Sequence, residues 1–136
     1  MITELNGWNT RVRQRTDPLT VAHAGFGRPA SLNERMVGAS ILSADFAALG
    51  AEVDAVLAAG ADALHVDVMD GHFVPNLSMG PAICSSLHRH VPDAFLDVHL
   101  MVERPDNFIE GFAKAGARHQ TIHIESAVNH RELAAQ

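Results

Sequence analysis

Apolar and polar positions alternate along residues Ala63–Met69, the pattern of a β-strand with two different faces. One face is wholly apolar, whereas the other carries His65 and Asp67. Two positions along a strand rise by about 6.6 Å, so both side chains can reach one ion or one small substrate at the end of the strand. Gly71 and Pro75 then predict a loop, so the polar pair lies just before the chain turns.

A second segment, Phe95–Met101, repeats this pattern with Asp97 and His99 on one face and apolar residues alone on the other. It also ends in a methionine and runs into a loop that contains Pro105. Strands buried on both faces are usually apolar throughout. Polar residues at one register of two such strands therefore need an explanation.

The remaining hydrophobic pattern predicts further elements in alternation. An apolar run predicts a strand at residues 37–42, and alternation predicts another at 118–125. Apolar stripes at helical spacing predict helices at 46–59 and 107–115, Pro81 and Pro92 bound a helix at 81–90, and another helix begins at 128–136. Four strands alternating with helices predict a parallel sheet, because a crossover helix returns the chain to lay the next strand in the same direction. Functional side chains in such α/β folds lie at the carboxyl ends of the strands.

Residues at the predicted helix ends support these boundaries. Ser43 and Asp45 are candidates to cap the helix that begins near residue 46. Gly60 and Gly116 each stand between two alanines where a helix is predicted to turn into a strand. This faint internal repeat is what stacked βα units require.

The composition indicates one globular domain after an irregular extension. The chain has 136 residues, of which 47% are hydrophobic, which is enough for one core and too little for two. Residues 1–35 show no sustained period, so we expect a poorly ordered N-terminal extension followed by a folded domain at 36–136.

Charge and cysteine content exclude several classes of function. A net charge of -6 offers no basic patch of the kind that nucleic acid needs. The apolar runs fall well short of the roughly 20 residues of a membrane span. The single cysteine, Cys84, cannot form an internal disulfide. We therefore expect a cytoplasmic protein with no nucleic-acid or membrane partner.

Three motifs in order resemble the first half of the ribulose-phosphate 3-epimerase family. They are SILSADF at 40–46, HVDVMDGHFVPN at 65–76 and DVHLMV at 97–102. The resemblance implies a (β/α)8 TIM barrel, of which this chain would form about the first four βα units. It also implies interconversion of D-ribulose 5-phosphate and D-xylulose 5-phosphate through an enediolate, a step used in sugar breakdown and in carbon fixation.

The resemblance assigns roles to six residues of this chain. His65, Asp67 and His99 would bind one divalent metal ion, and Asp67 would also be an acid/base carboxylate. The substrate would contact four residues: Ser40, His99, Met69 and Met101. A mixed imidazole and carboxylate shell suits Zn²⁺, Fe²⁺, Mn²⁺ or Co²⁺, and such an ion stabilises the charge that develops on a substrate oxygen.

The family pattern also assigns a second half that this chain does not contain. That half would supply a partner acid/base aspartate and the loops that hold the phosphate. Epimerisation needs an acid and a base on opposite faces of a planar intermediate. We therefore expect a complementing C-terminal half, or a second copy of the chain, as a partner.

Other interpretations stay open on the sequence alone. His65 and Asp67 could be a hydrogen-bonded buried pair without a catalytic role, and the methionines could fill the core. His123 and Glu125 face the interior by alternation but have no firm role. The chain could therefore be a non-catalytic metal-binding or interaction half barrel, or a decarboxylase or aldolase relative.

Overall fold

The computed structural model describes residues 36–126 and residue 128. Four β-strands alternate with three α-helices in this part of the chain. In order they are β1 (Gly38–Ser40), α1 (Leu49–Ala58), β2 (Ala63–Met69), α2 (Pro81–His90), β3 (Phe95–Met101), α3 (Ile109–Lys114) and β4 (His119–Ile122), with a 3-10 turn at Pro105–Asn107 before α3.

The strands form one parallel sheet in the order β1-β2-β3-β4. Each strand lies beside the next strand in the chain, and a helix or a helical segment connects each pair. This arrangement is that of consecutive βα units in the first half of a (β/α)8 barrel. It confirms the predicted fold class and the exact bounds predicted for β2, α2 and β3.

The apolar face of the sheet packs beneath the helices and forms the core. Leu64 and Val66 of β2 and Leu96 and Val98 of β3 are fully buried. Helix side chains such as Phe112 complete the same cluster. Because the helices cover one face of the sheet, the polar residues of β2 and β3 lie on the other, partly exposed face.

The prediction for the start of α1 is wrong by one turn. The helix begins at Leu49 rather than at residue 46, and the side chain of Asp45 accepts a hydrogen bond from the Ala47 N–H. That bond closes a local turn instead of capping the helix. Glu52 accepts a hydrogen bond from the Asp45 N–H, so this contact ties the local turn to the first turn of α1.

The remaining strand and helix predictions were too long. Strand β1 covers Gly38–Ser40, and β4 ends at Ile122 because the chain turns at once, with the Ser126 N–H donating to the His123 carbonyl at 3.1 Å. The segment predicted as a helix at 107–115 divides into the 3-10 turn and α3.

Two predictions fall on parts of the chain that are not described. The extension at residues 1–35 and the helix predicted at 128–136 lie outside the described residues, apart from Val128. None of the described helices has the length and apolar character needed to cross a bilayer.

The two repeated corners adopt the backbone conformation that their glycines permit. Gly60 has φ of 104° and Gly116 has φ of 100°, a region that other residues enter only with strain. Around Gly60 no atom lies within 4 Å of the position of an added Cβ, whereas at Gly116 the His88 Cγ would lie 2.5 Å from it. The second corner therefore requires glycine for space as well as for backbone freedom.

We expect Gly116→Ala to destabilise the fold more than Gly60→Ala. Both changes strain the backbone by about 1–2 kcal/mol, but only Gly116→Ala must also displace His88, at a further cost of about 1–3 kcal/mol. Chemical denaturation of the two variants measures the difference in the free energy of unfolding. Adding His88→Ala to Gly116→Ala should reduce the difference without abolishing it, because the ring contacts are removed but the Cβ of residue 88 would still lie 2.8 Å from the added Cβ. Equal destabilisation of the two single variants would contradict this account.

Candidate metal centre

The register of the sheet arranges the polar side chains in rows across its open face. Ser40 pairs with His65, and His65 pairs with Asp97. Two residues further along these strands, Asp67 pairs with His99. Imidazoles and carboxylates therefore alternate both along each strand and between the strands.

Asp67 lies between the two histidines at the centre of this arrangement. Its Oδ1 lies 3.2 Å from His65 Nε2 and 3.1 Å from His99 Nδ1. Its Oδ2 accepts a hydrogen bond of 2.9 Å from the Ser40 hydroxyl. The Asp67 side chain is 14% exposed, so these three groups surround a carboxylate with little access to water.

These distances suit a bound metal ion. One potential ligand atom from each of His65, Asp67 and His99 lies within 4.8 Å of the others. Ligand atoms that bind one ion through bonds of about 2.0–2.2 Å lie roughly 3 to 3.5 Å apart when neighbouring bonds enclose about a right or tetrahedral angle. Both nitrogens meet this condition relative to Asp67 Oδ1, so the cluster could hold a divalent ion.

Asp97 binds the far nitrogen of His65, a contact that the sequence analysis did not anticipate. His65 Nδ1 lies 2.7 Å from Asp97 Oδ2, while its Nε2 faces Asp67. A neutral imidazole has one N–H and one lone pair, so it cannot donate to both carboxylates. A cation beside Nε2 resolves this conflict, because Nδ1–H then donates to Asp97 and the Nε2 lone pair faces the ion.

Asp97 is also held from its other side. His119 Nδ1 lies 2.7 Å from Asp97 Oδ1. Desolvation by burial opposes ionisation of Asp97, but the hydrogen bonds from His119 and His65 together keep its pKa below the usual range. Asp97 is therefore an anion at neutral pH and accepts the hydrogen bond from His65.

His123 contacts the far nitrogen of His99. The two Nε2 atoms lie 2.7 Å apart, and Phe73 lies 5.0 Å from the His123 ring, centroid to centroid. The sequence placed His123 on the interior face without a role. The register is the signal that could have revealed Asp97 as a partner of His65, since the two residues lie side by side once β2 and β3 are aligned. It does not reveal His123, because the residue that pairs with His99 is Thr121.

The other predicted site residues lie around this cluster. Met69 and Met101 pair in register and are partly buried at the ends of β2 and β3. Ser40 lies at the end of β1 and contacts Asp67 directly. Cys84 lies in the core, and burial raises the pKa of its thiol to about 11, so it is a packing residue.

Asp70 joins the loops that follow β2 and β3. Its Oδ1 accepts from the N–H groups of His72 and Phe73 at 2.8 and 2.9 Å, and its Oδ2 accepts from the Glu103 N–H at 2.8 Å. Desolvation acts in the opposite direction, but these three backbone donors together lower the pKa of Asp70. One carboxylate therefore fixes both loops beside the candidate metal centre.

A parallel βα sheet with polar side chains near the carboxyl ends of its strands places the chain in the (β/α)-barrel class, with a candidate metal site on its open face. Residues 36–136 match the ribulose-phosphate 3 epimerase family. The chain therefore belongs to the ribulose-phosphate 3-epimerase family. This assignment argues against the alternative of a decarboxylase or aldolase relative.

Individual relatives agree with the family match. The chain is 55% identical over 98 residues to the ribulose-phosphate 3-epimerase of Bacillus subtilis, covering 71% of this chain and 45% of the relative. It is 52% identical over 98 residues to the cytoplasmic isoform of Oryza sativa, covering 71% and 42%. The chain therefore spans less than half the length of these curated relatives.

We expect Asp70→Asn to loosen the two loops and to lower stability by about 1 kcal/mol, a small value because the site is open to solvent. The folded-state pKa of Asp70 is lowered, so its contribution is present above the ordinary aspartate pKa of about 3.9 and is lost as the pH falls through the lower folded value. Denaturation measured between neutral and acidic pH tests this.

The matched control is Asp106→Asn. Asp106 pairs with the exposed side chain of Arg104, and exposed ion pairs contribute little. Wild type and Asp70→Asn should converge in stability at low pH, whereas Asp106→Asn should follow wild type throughout. An Asp70→Asn curve parallel to wild type at every pH would contradict the assignment.

Proposed function

We propose that this chain supplies the metal-binding half of a ribulose-phosphate 3-epimerase, which inverts C3 of a pentulose 5-phosphate. In this proposal His65, Asp67 and His99 bind one divalent ion, Zn²⁺, Fe²⁺, Mn²⁺ or Co²⁺. The convergence of His65 Nε2 and His99 Nδ1 on Asp67 Oδ1 carries the proposal. The names of the relatives and the family match support the substrate class.

When bound, such an ion stabilises the negative charge of an enediolate and so lowers the cost of removing the C3 proton. Asp67 would accept that proton on one face of the sugar, and a second acid/base group would donate a proton to the opposite face, so that C3 is inverted. Its Oδ2 points away from the two imidazoles toward the Ser40 hydroxyl, which donates to it at 2.9 Å. Ser40 thereby orients the carboxylate and would contact the substrate beside it.

Met69 and Met101 would form an apolar wall beside the reacting carbons. They lie in register one step beyond Asp67 and His99. Thioether side chains are apolar and polarizable, so they exclude water from a delocalised anion without competing for its charge. His99 would contact the substrate from the same row as Asp67.

Inversion also needs a proton donor on the opposite face of the intermediate. Because the chain spans less than half of its relatives, we propose that this group and the phosphate-binding loops come from a complementing half. A second copy of the chain is the alternative partner.

We also propose that the folded domain begins at residue 36, where the family match begins. A cytoplasmic location is supported by the name of the Oryza sativa relative.

A chimera tests the proposed activity. Residues 36–136 would replace the matching segment of the Bacillus subtilis relative, and a coupled assay would measure interconversion of the two pentulose 5-phosphates. We expect activity, and we expect Asp67→Asn in the chimera to lower kcat by about 100-fold or more because a general acid/base is lost. Asp54→Asn, which changes an exposed aspartate on α1, is the control. A folded, metal-loaded chimera without turnover would refute the proposal.

The purified 136-residue chain should bind the metal ion but turn over poorly, because in this proposal the opposite acid/base group comes from a partner. Zn²⁺ affinity would be measured by competition with a chelator. Asp67→Asn should weaken the affinity strongly, because Oδ1 of Asp67 lies beside both candidate ligand nitrogens. Epimerase activity of the purified, metal-loaded chain would contradict the proposal that a partner supplies the opposite acid/base group. Activity lost when the chain is made monomeric would point to a second copy as the partner.

A further inference from the structure

His123 directly follows β4, and its ring lies edge to edge with the ring of the candidate ligand His99. The Nε2 atoms of the two rings lie 2.7 Å apart, and the ring planes are inclined by 29°. Phe73, from the loop after β2, packs against His123 at 5.0 Å between centroids. His99 of β3 and Phe73 of the loop after β2 thus both contact the His123 ring.

The number of protons in this contact decides which nitrogen of His99 is free. A hydrogen bond between two imidazole nitrogens contains one proton, so one ring donates and the other accepts. His99 Nδ1 faces Asp67 Oδ1 at 3.1 Å. If this nitrogen offers its lone pair to an ion, the proton of the neutral ring must lie on Nε2 and must point at His123 Nε2.

The tautomer of His123 follows from the same count. Its Nε2 must accept the proton from His99, so its own proton must lie on Nδ1. That nitrogen lies 3.8 Å from Glu125 Oε2, and a carboxylate near Nδ1 favours a proton there. The Glu125 side chain is 70% exposed, so its effect is weak and the close contact with His99 dominates.

We propose that His123 is a positioning residue that fixes the orientation and tautomer of His99, so that the Nδ1 lone pair of His99 is turned toward Asp67 and the ion. The inference rests on the proposed function in taking His99 as a metal ligand. In this proposal His123 is the outer partner of His99, just as Asp97 is the outer partner of His65. The partner of His99 is an imidazole ring, whereas that of His65 is a carboxylate. Outer partners of this kind orient a ligand histidine and set its tautomer.

A purely structural role for His123 makes different predictions. If His123 only fills space between His99 and Phe73, another aromatic ring should replace it, and its tautomer should be independent of the metal. If it positions His99, the hydrogen bond matters and the ring alone does not suffice. The two roles can be separated by NMR and by a pair of variants.

The first test is long-range proton–nitrogen correlation NMR of the histidine-labelled full chain with Zn²⁺. We expect His99 to be protonated on Nε2 and His123 on Nδ1. Bound Zn²⁺ with His123 protonated on Nε2 alone would overturn this inference while leaving the metal site intact. Failure of Zn²⁺ to shift the signals of His65 and His99 would overturn the proposed metal site and this inference together.

The second test compares two substitutions at the same position. His123→Phe keeps an aromatic ring beside Phe73 but removes the acceptor, and we expect the Kd for Zn²⁺ to rise about 10- to 100-fold. His123→Gln keeps a carbonyl that can accept from His99 Nε2 and should recover much of the affinity. His90→Gln is the control, because His90 pairs with Asp54 on the surface of the helices.

An unchanged Kd in folded His123→Phe would overturn the proposal, as would an equal loss in His123→Gln and His123→Phe. Circular dichroism confirms folding before each titration. If His123→Phe does not fold, the NMR tautomers of the wild-type chain and the affinity of His123→Gln still decide between the two roles.

Discussion

One oxygen atom, Oδ1 of Asp67, lies within 3.2 Å of a nitrogen from each of two histidines, and the candidate site depends on that convergence. It requires β2 and β3 to pair in parallel with Asp67 beside His99. A slip of one residue would turn every polar side chain of a strand into the core and every apolar one outward. The buried apolar face therefore determines which residues form the polar face, since a slip of one residue would expose Leu64, Val66 and Val98.

Each histidine of the cluster has partners at both ring nitrogens, and the far partner decides what the near nitrogen can do. Asp97 holds Nδ1 of His65 and leaves Nε2 facing Asp67. His123 holds Nε2 of His99 and leaves Nδ1 facing Asp67. His65 thus presents Nε2, and His99 presents Nδ1, to the same oxygen of Asp67. The nitrogens differ because the outer partner occupies Nδ1 in His65 and Nε2 in His99. A carboxylate increases the electron density of His65 more than a neutral ring does for His99.

Much of this fold could be predicted from the sequence, because alternation and loop residues bounded β2, β3 and α2 sharply. The bounds failed where side chains compete for backbone groups, as Asp45 does before α1. Alternation placed the candidate ligands on one face, but it does not show which residues touch across strands. The partnership of Asp97 with His65 depends on register, and the contact of His123 with His99 depends on the turn that ends β4.

The candidate ligands come from two adjacent strands, and their outer partners come from β3 and the end of β4. The hydrogen bonds that join the candidate ligands to one another and to their outer partners are therefore made within neighbouring βα units, by residues at most 32 positions apart in the chain. In the proposed function, chemistry at C3 needs groups on both faces of a planar intermediate, and a single strand pair can approach only one face. Ion binding and turnover consequently have different structural requirements: the first needs β2, β3 and their neighbours, and the second needs a surface that closes over the open face of this sheet.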